Sequence, residues 1–311
     1  MERRVFLVTS RQTWGRAVAS ASLAALVLAT AGCGSSDKES ASNSAGSLAE
    51  LKKTGTIRSA FINAKPLAYM DEKSGLLDGS GPTVLKAIMT SIGVKNVDPI
   101  LTEFDAIIPG LKANRWRMSA FPFYVTPERC KEVAFTNPTA QYLEGALVQS
   151  GNPLGLASYK DLAKPGVRVG IQSGNAEIEW AKDNGVKQSQ IKLFSEEALA
   201  VEAVRNKQID VYLNAEFSVI QALKTYGDKG LEMASPFEGP IVDGKEVVAY
   251  GAWALGSDDN ELREAFNEKL AEMLASGELL KLQEPFGYNA DAMPDPAVTS
   301  ASLCPDADWA K

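Results

Sequence analysis

The sequence predicts an α/β protein made of two similar units, and three observations carry that expectation. Strand-like runs alternate with amphipathic helical runs, the pattern of parallel β/α packing. The alternation begins afresh after "QYLEGALVQ", residues 141–149. The chain has 311 residues, 45% hydrophobic and 23% charged, enough for two cores once an export segment is set aside.

The elements follow in order. "GTIRSAFI" (55–62) reads as a short strand, and "NAKPLAYMDEKSGLLDGSG" (63–81) as a loop. "PTVLKAIMTSIG" (82–93) is an amphipathic helix with Val84, Leu85, Ala87, Ile88 and Ile92 on one broad face, started by Pro82 and ended by Gly93. "DPILTEF" (98–104) is a strand, "DAIIPGLKAN" (105–114) a short helix, and "RMSAFPFYV" (117–125) a third strand. In the second unit, "GVRVGIQ", "QIKLF" and "IDVYLN" are strands. They alternate with helices "NAEIEWAKDNG", "SEEALAVEAVRNKQ" and "EFSVIQALKTYG". "EVVAYGAWAL" (246–255) is a strand and "DNELREAFNEKLAEMLASG" (259–277) a long amphipathic helix. The tail from Asp291, rich in proline and aspartate, is expected to lie irregularly on the surface. No close sequence repeat is visible.

There is no histidine. That excludes histidine acid–base catalysis, nucleophilic triads that use histidine, and His-ligated metal sites. No cofactor or metal is expected.

The first 32 residues read as an export signal. Arg3, Arg4, Arg11 and Arg16 form the positive region and Ala17 to Ala31 an apolar run too short for a comfortable membrane span. "LATAGC" resembles a bacterial lipobox, which implies acylation of Cys33 as the new first residue; an ordinary signal with an incidental cysteine is the alternative. "ERRVFLV" loosely resembles a twin-arginine export motif. Removing residues 1–32 takes away four arginines and one glutamate, so the net charge moves from −7 to −10. Such an acidic chain argues against nucleic-acid binding. Residues 33–47 are too polar to fold and read as a flexible tether. With Cys33 lipidated, Cys130 and Cys304 remain as an even pair in an oxidising setting. They form either a bridge holding the tail to the segment after Arg129 or two separate buried thiols.

One stretch, "PFYVTPERC" (122–130), is odd. Thr126 and Pro127 read as a helix N-cap and first residue, which puts the cation of Arg129 where the helix dipole disfavours it.

From about Leu48 to about Pro294 the chain resembles the extracellular solute-binding proteins of polar amino-acid ABC importers. The signatures are "GLLDGSGPTVLKAI", "AIIPGLKANRW", "TPERCKEVAFTNP", "GVRVGIQSGNAE" and "DDNELREAFNEKLAEMLASGELLKLQEPFG". Within the family, "TPERC", "PIVDGKEVVAYGAWAL" and "PFGYNADAMP" look most like the ectoine/hydroxyectoine-binding branch. The resemblance implies a two-lobed type II periplasmic-binding-protein fold with two hinge crossings. Lobe one would be 48–141 plus 249–311 and lobe two 142–248. It also implies permease and ATPase partners, an exported and membrane-anchored monomer, and a small zwitterionic or carboxylate ligand.

The resemblance explains the oddity. Arg129 of "TPER" would clamp a ligand carboxylate, for which a planar guanidinium is suited; a surface pair with an acid such as Glu132 is the alternative. Ser173, Gly174 and Asn175 of "QSGNAE" would offer backbone N–H groups from the other lobe. The family usually carries an aspartate for the ligand ammonium five residues after the Asp210 position. Here that residue is Ala215, with Asn214 and Glu216 beside it, so an ordinary α-amino acid fits less well. Tyr124 and Phe104 match cage positions that could hold a delocalised cation, or are simply core rings. Ala64 and Leu67 stand where the ectoine branch has an acid and a third aromatic. Arg117 and Pro122 replace an aspartate and a glycine, and Tyr69 is expected to pack locally. The leading expectation is a non-catalytic solute-binding lipoprotein. A same-fold dehydratase and a sensory or adhesive module are the alternatives.

Overall fold

The structure is a computed structural model describing residues 46–242 and 244–311. The expected signal, Cys33 and nearly all of the tether lie outside these residues.

A parallel strand needs a helical crossover to bring the chain back, and the helical runs supply it. The first five-stranded sheet runs in the order Asn96–Leu101, Thr56–Phe61, Met118–Ser119, Ala254–Leu255, Ala134–Phe135. Its first three strands are parallel, and the Ala254–Leu255 strand is antiparallel to both neighbours. The second sheet repeats the scheme as Ile191–Phe194, Val169–Gln172, Val211–Ala215, Glu144–Gln149, Leu231–Met233. Again three parallel strands are followed by an antiparallel one. The first sheet packs with helices Ser80–Ser91 and Asn260–Ser276 around Leu85, Ile88, Phe121, Phe135, Trp253 and Phe266. The second has a core on each face, one around Tyr159 and Ile171 and one around Val204 and Tyr212.

Between them lies a three-stranded antiparallel sheet of Phe123–Tyr124, Ala249–Ala252 and Ala140–Tyr142. This accounts for two differences from the sequence reading. The expected strand 117–125 breaks into Met118–Ser119 in the first sheet and Phe123–Tyr124 in the small one. The expected strand 246–255 breaks likewise into Ala249–Ala252 and Ala254–Leu255. Each run changes sheets at its break but stays buried across it, so the sequence shows one continuous strand while the partners change. Pro122, without an N–H, sits at the first switch. The chain passes from the first sheet's half to the second through Ala140–Glu144 and returns through Ala249–Ala254.

Cys130 and Cys304 are joined by a disulfide across 174 residues. The tail is mostly irregular, yet it is docked. The Trp309 indole N–H donates to the Cys130 carbonyl (2.8 Å), and the Ser300 N–H donates to Asn137 Oδ1 (3.0 Å). Arg117 is tied to Asp259 by two hydrogen bonds of 2.5 and 2.8 Å just before the long helix.

Candidate functional site

The helix Pro127–Cys130 starts as its sequence asks. The Arg129 N–H donates to Thr126 Oγ1 at 3.3 Å, and Pro127 fills the first turn. Its side chain turns inward. Arg129 is 8% exposed, donating from Nη1 to the Tyr124 carbonyl (2.6 Å) and from Nη2 to the Gly174 carbonyl (2.8 Å). Its guanidinium carbon lies 5.1 Å from the Phe123 ring centre and 5.4 Å from that of Phe104. Burial pulls the group down to about 10, opposed by Glu177, Tyr124 and Glu128, so it stays charged at neutral pH. Glu132 is not its partner; that carboxylate pairs with Lys112.

Arg129 borders a cavity of about 600 Å³ between the two halves, a volume suited to a small molecule. Tyr124, Phe104, Leu67, Asn175 and Asn214 also line it. Phe104 packs edge-on against Phe123, with ring centres 5.5 Å apart, so it belongs to the first core as well as to the cavity wall. Tyr124 is 5.4 Å from Trp180 and 5.7 Å from Tyr142, ring centre to ring centre. Tyr69 is bonded to Asp78 (3.1 Å) and takes no part in the wall.

The turn at Ser173–Asn175 differs from expectation. The Ser173 N–H donates to the Phe194 carbonyl (2.8 Å) and the Asn175 N–H to the Gln172 carbonyl (3.1 Å), so neither amide is offered to a ligand. Gly174 presents its carbonyl, and to Arg129. Neither Ser173 nor Gly174 lines the cavity. The turn closes with Gly174 at φ +81°, and a Cβ there would come within 2.9 Å of the Asp105 Cβ. Only glycine allows both the left-handed turn and this approach of the two halves.

The sequence reading missed the carboxylates. Glu144 and Glu177 are buried and Glu197 is partly so; the amide of Gln172, also missed, is buried too. Glu144 accepts from the Tyr124 hydroxyl (2.9 Å) and the Tyr159 hydroxyl (2.8 Å), a hydrogen-bonded bridge between the small sheet and the second half. Burial, and then the charge of Glu177, hold its carboxyl well above the usual range. Burial pushes Glu177 up to about 7 against the pull of its own backbone N–H and of Arg129. Burial lifts Glu197 to about 7, opposed by Asn214, whose amide donates to it at 3.2 Å. Glu177, Glu197 and Gln172 border the cavity. The available signal was position: Glu177 and Glu197 each open a helix a few residues after a strand. The sequence reading placed both on helices and did not recognise them as cavity groups. Among the described residues, no cluster of three or more metal-ligating side chains has the arrangement to hold a metal ion. No helix among them is long and apolar enough to cross a membrane.

Comparison with known proteins agrees with this architecture. Residues 57–289 match the bacterial extracellular solute-binding proteins, family 3. A probable amino-acid ABC transporter periplasmic-binding protein, y4tE of Sinorhizobium fredii, is 34% identical over 262 residues, 83% of this chain and 85% of that protein. The crystal structure of EhuB in complex with hydroxyectoine matches with a TM-score of 0.75 and 32% identity, covering 83% of this chain and 97% of that one. An ancestral amino-acid-binding protein, AncCDT-1, a precursor of cyclohexadienyl dehydratase, matches with a TM-score of 0.66 at 26% identity, covering 78% and 99%. The chain belongs to family 3 of the bacterial extracellular solute-binding proteins and has their type II periplasmic-binding-protein fold.

Proposed function

We propose that this solute-binding protein is the lipid-anchored capture subunit of an ABC importer, tethered through Cys33 and holding a small carboxylate-bearing solute between two lobes for delivery to a membrane permease. Lobe one comprises 48–141 and 249–311, lobe two 142–248. The solute is amino-acid-like or ectoine-like, in keeping with the amino-acid ABC transporter relative and the hydroxyectoine complex described above. One observation carries the reading: a buried, charged guanidinium borders the cavity with only two of its five N–H donors given to protein carbonyls. A carboxylate is the partner such a group accepts with the best geometry. A solute touching Arg129 from one half and the acidic wall from the other would stabilise closure of the hinge.

The test is a thermal-shift panel of L-arginine, L-histidine and hydroxyectoine, with each compound recovered and identified afterwards. A ligand at 1,000 times its dissociation constant stabilises by about 4 kcal/mol. We expect a shift, unchanged compound, and loss of the shift in Arg129→Ala. A shift that survives that substitution removes the proposed site. Carboxyls held near 7 favour a second reading, a same-fold dehydratase, because such groups suit general acid–base work. Recovery of a converted product would support it over the binder.

A further inference from the structure

Arg129 and Lys65 are the cations among the residues lining the cleft, and the same lining carries carboxylates to which the reading above gives no individual role. Glu144 is not among the available ones, because tyrosine hydroxyls occupy both of its oxygens. Glu177 differs. It is 1% exposed, borders the cavity, and its Oε2 has no hydrogen-bond partner. Arg129 senses its charge, yet the two form no ion pair within 4.0 Å, and the guanidinium spends two donors on carbonyls instead. Leaving a carboxylate buried and unpaired is costly. Glu197, whose Oε2 has the Asn214 amide as its partner, borders the same space.

We propose that Glu177, with Glu197 bordering the same cavity, is the cation-binding pole of the cleft, so that the solute is a zwitterion whose carboxylate meets Arg129 and whose ammonium or amidinium meets Glu177. The inference rests on the reading of Arg129 as the anion anchor. It also removes the objection raised by Ala215: the carboxylate absent from that strand is supplied from the start of the Glu177–Asp183 helix. A cation arriving beside Glu177 favours its ionised form. Binding near pH 7 therefore drives a proton off the protein. The groups facing Glu177 are Arg129, Glu144, Tyr124, Tyr159 and Tyr212. Burial holds all three tyrosines above their ordinary value, so they remain neutral through this range.

The competing account makes Glu177 only a counter-charge for Arg129. Glu177→Gln separates the two. Titrate wild type, Glu177→Gln and Arg129→Ala with L-arginine, L-histidine and hydroxyectoine, and with acetate as a carboxylate carrying no cation. We expect Glu177→Gln to weaken the bound zwitterion by roughly thirtyfold or more, while acetate binds as well as before or better. Repeating the calorimetry in buffers of different ionisation enthalpy at pH 7 should show proton release in wild type and its loss in the variant. Zwitterion affinity within about twofold of wild type (a difference of roughly 0.4 kcal/mol) overturns the cation pole, as does parallel weakening of zwitterion and acetate. Loss of both ligand types in Arg129→Ala keeps the anion site standing in either case. Survival of acetate binding there overturns the anion site itself.

Discussion

The two five-stranded sheets have the same strand order and the same switch from parallel to antiparallel, yet they bring opposite chemistry to the cleft. The first sheet's side contributes rings, two cations (Arg129 and Lys65) and a single acid, Glu103; Phe104 and Phe123 pack around Arg129, and their faces partly compensate its charge. The second contributes Glu177, Glu197, Gln172 and Asn214. Topology set where the loops converge, and loop residues set what they carry. On the positive side Arg129 gives two of its donors to protein carbonyls, and on the negative side Glu177 holds a buried oxygen with no partner. Each side keeps polar capacity that a ligand can complete.

The largest effect should come from removing the charge on the first side. Arg129→Ala should weaken the bound zwitterion by about 4 kcal/mol, the scale of losing one partner of a buried hydrogen-bonded charge pair; titration calorimetry measures it. Near-native affinity in the variant would end the comparison between a cationic and an anionic wall. Reducing the Cys130–Cys304 bond removes a cross-link closing a 174-residue separation behind Arg129. It should cost about 3–4 kcal/mol by urea unfolding, with hydrogen exchange rising in the first half before the second. Uniform loss of protection would mean the halves do not differ in this respect.

A third test exploits the acidic side through pH. Glu177 and Glu197 sit near 7 when folded and near the ordinary 4.5 when unfolded. Between these values the folded chain holds more protons than the unfolded one, so stability falls as pH rises. Above pH 7 the loss is complete, up to roughly 3 kcal/mol for each group. Ligand-free thermal midpoints should therefore decline from pH 5 to pH 8, and Glu177→Gln should flatten the decline. A midpoint that rises over this range would show the carboxylates to be better compensated than the geometry indicates. The smallest effect concerns the bridge between the halves. Tyr124→Phe deletes the hydroxyl bonded to Glu144 and should cost about 1 kcal/mol of unfolding free energy. No change would mean that Tyr159 alone suffices to satisfy that carboxylate.

Much of this arrangement was legible before any coordinates. Helix Ser80–Ser91 follows from its apolar face and terminal residues, and the Thr126 cap with Pro127 placed the short helix that carries Arg129. The breaks at Ala120–Pro122 and Trp253 were not legible, because each run stays buried without interruption while the hydrogen-bond partners change sheets. The turn at Ser173–Asn175 was read correctly as a turn after a strand. Its amides were nonetheless assigned to the cleft, when neighbouring carbonyls take two of them.

By itself the sequence determined the alternating elements, the absence of histidine chemistry, the family, and the arginine at the head of its helix. These depend on local spacing and residue type, which a chain displays along its length. Only the tertiary structure decided that Glu177 and Glu197 share a cavity with Arg129, that one glycine lets the halves meet, and that Cys130 is bonded to Cys304. Each of those depends on residues far apart in the chain being packed together, and the desolvation that gives a carboxylate its unusual character exists only once that packing is in place.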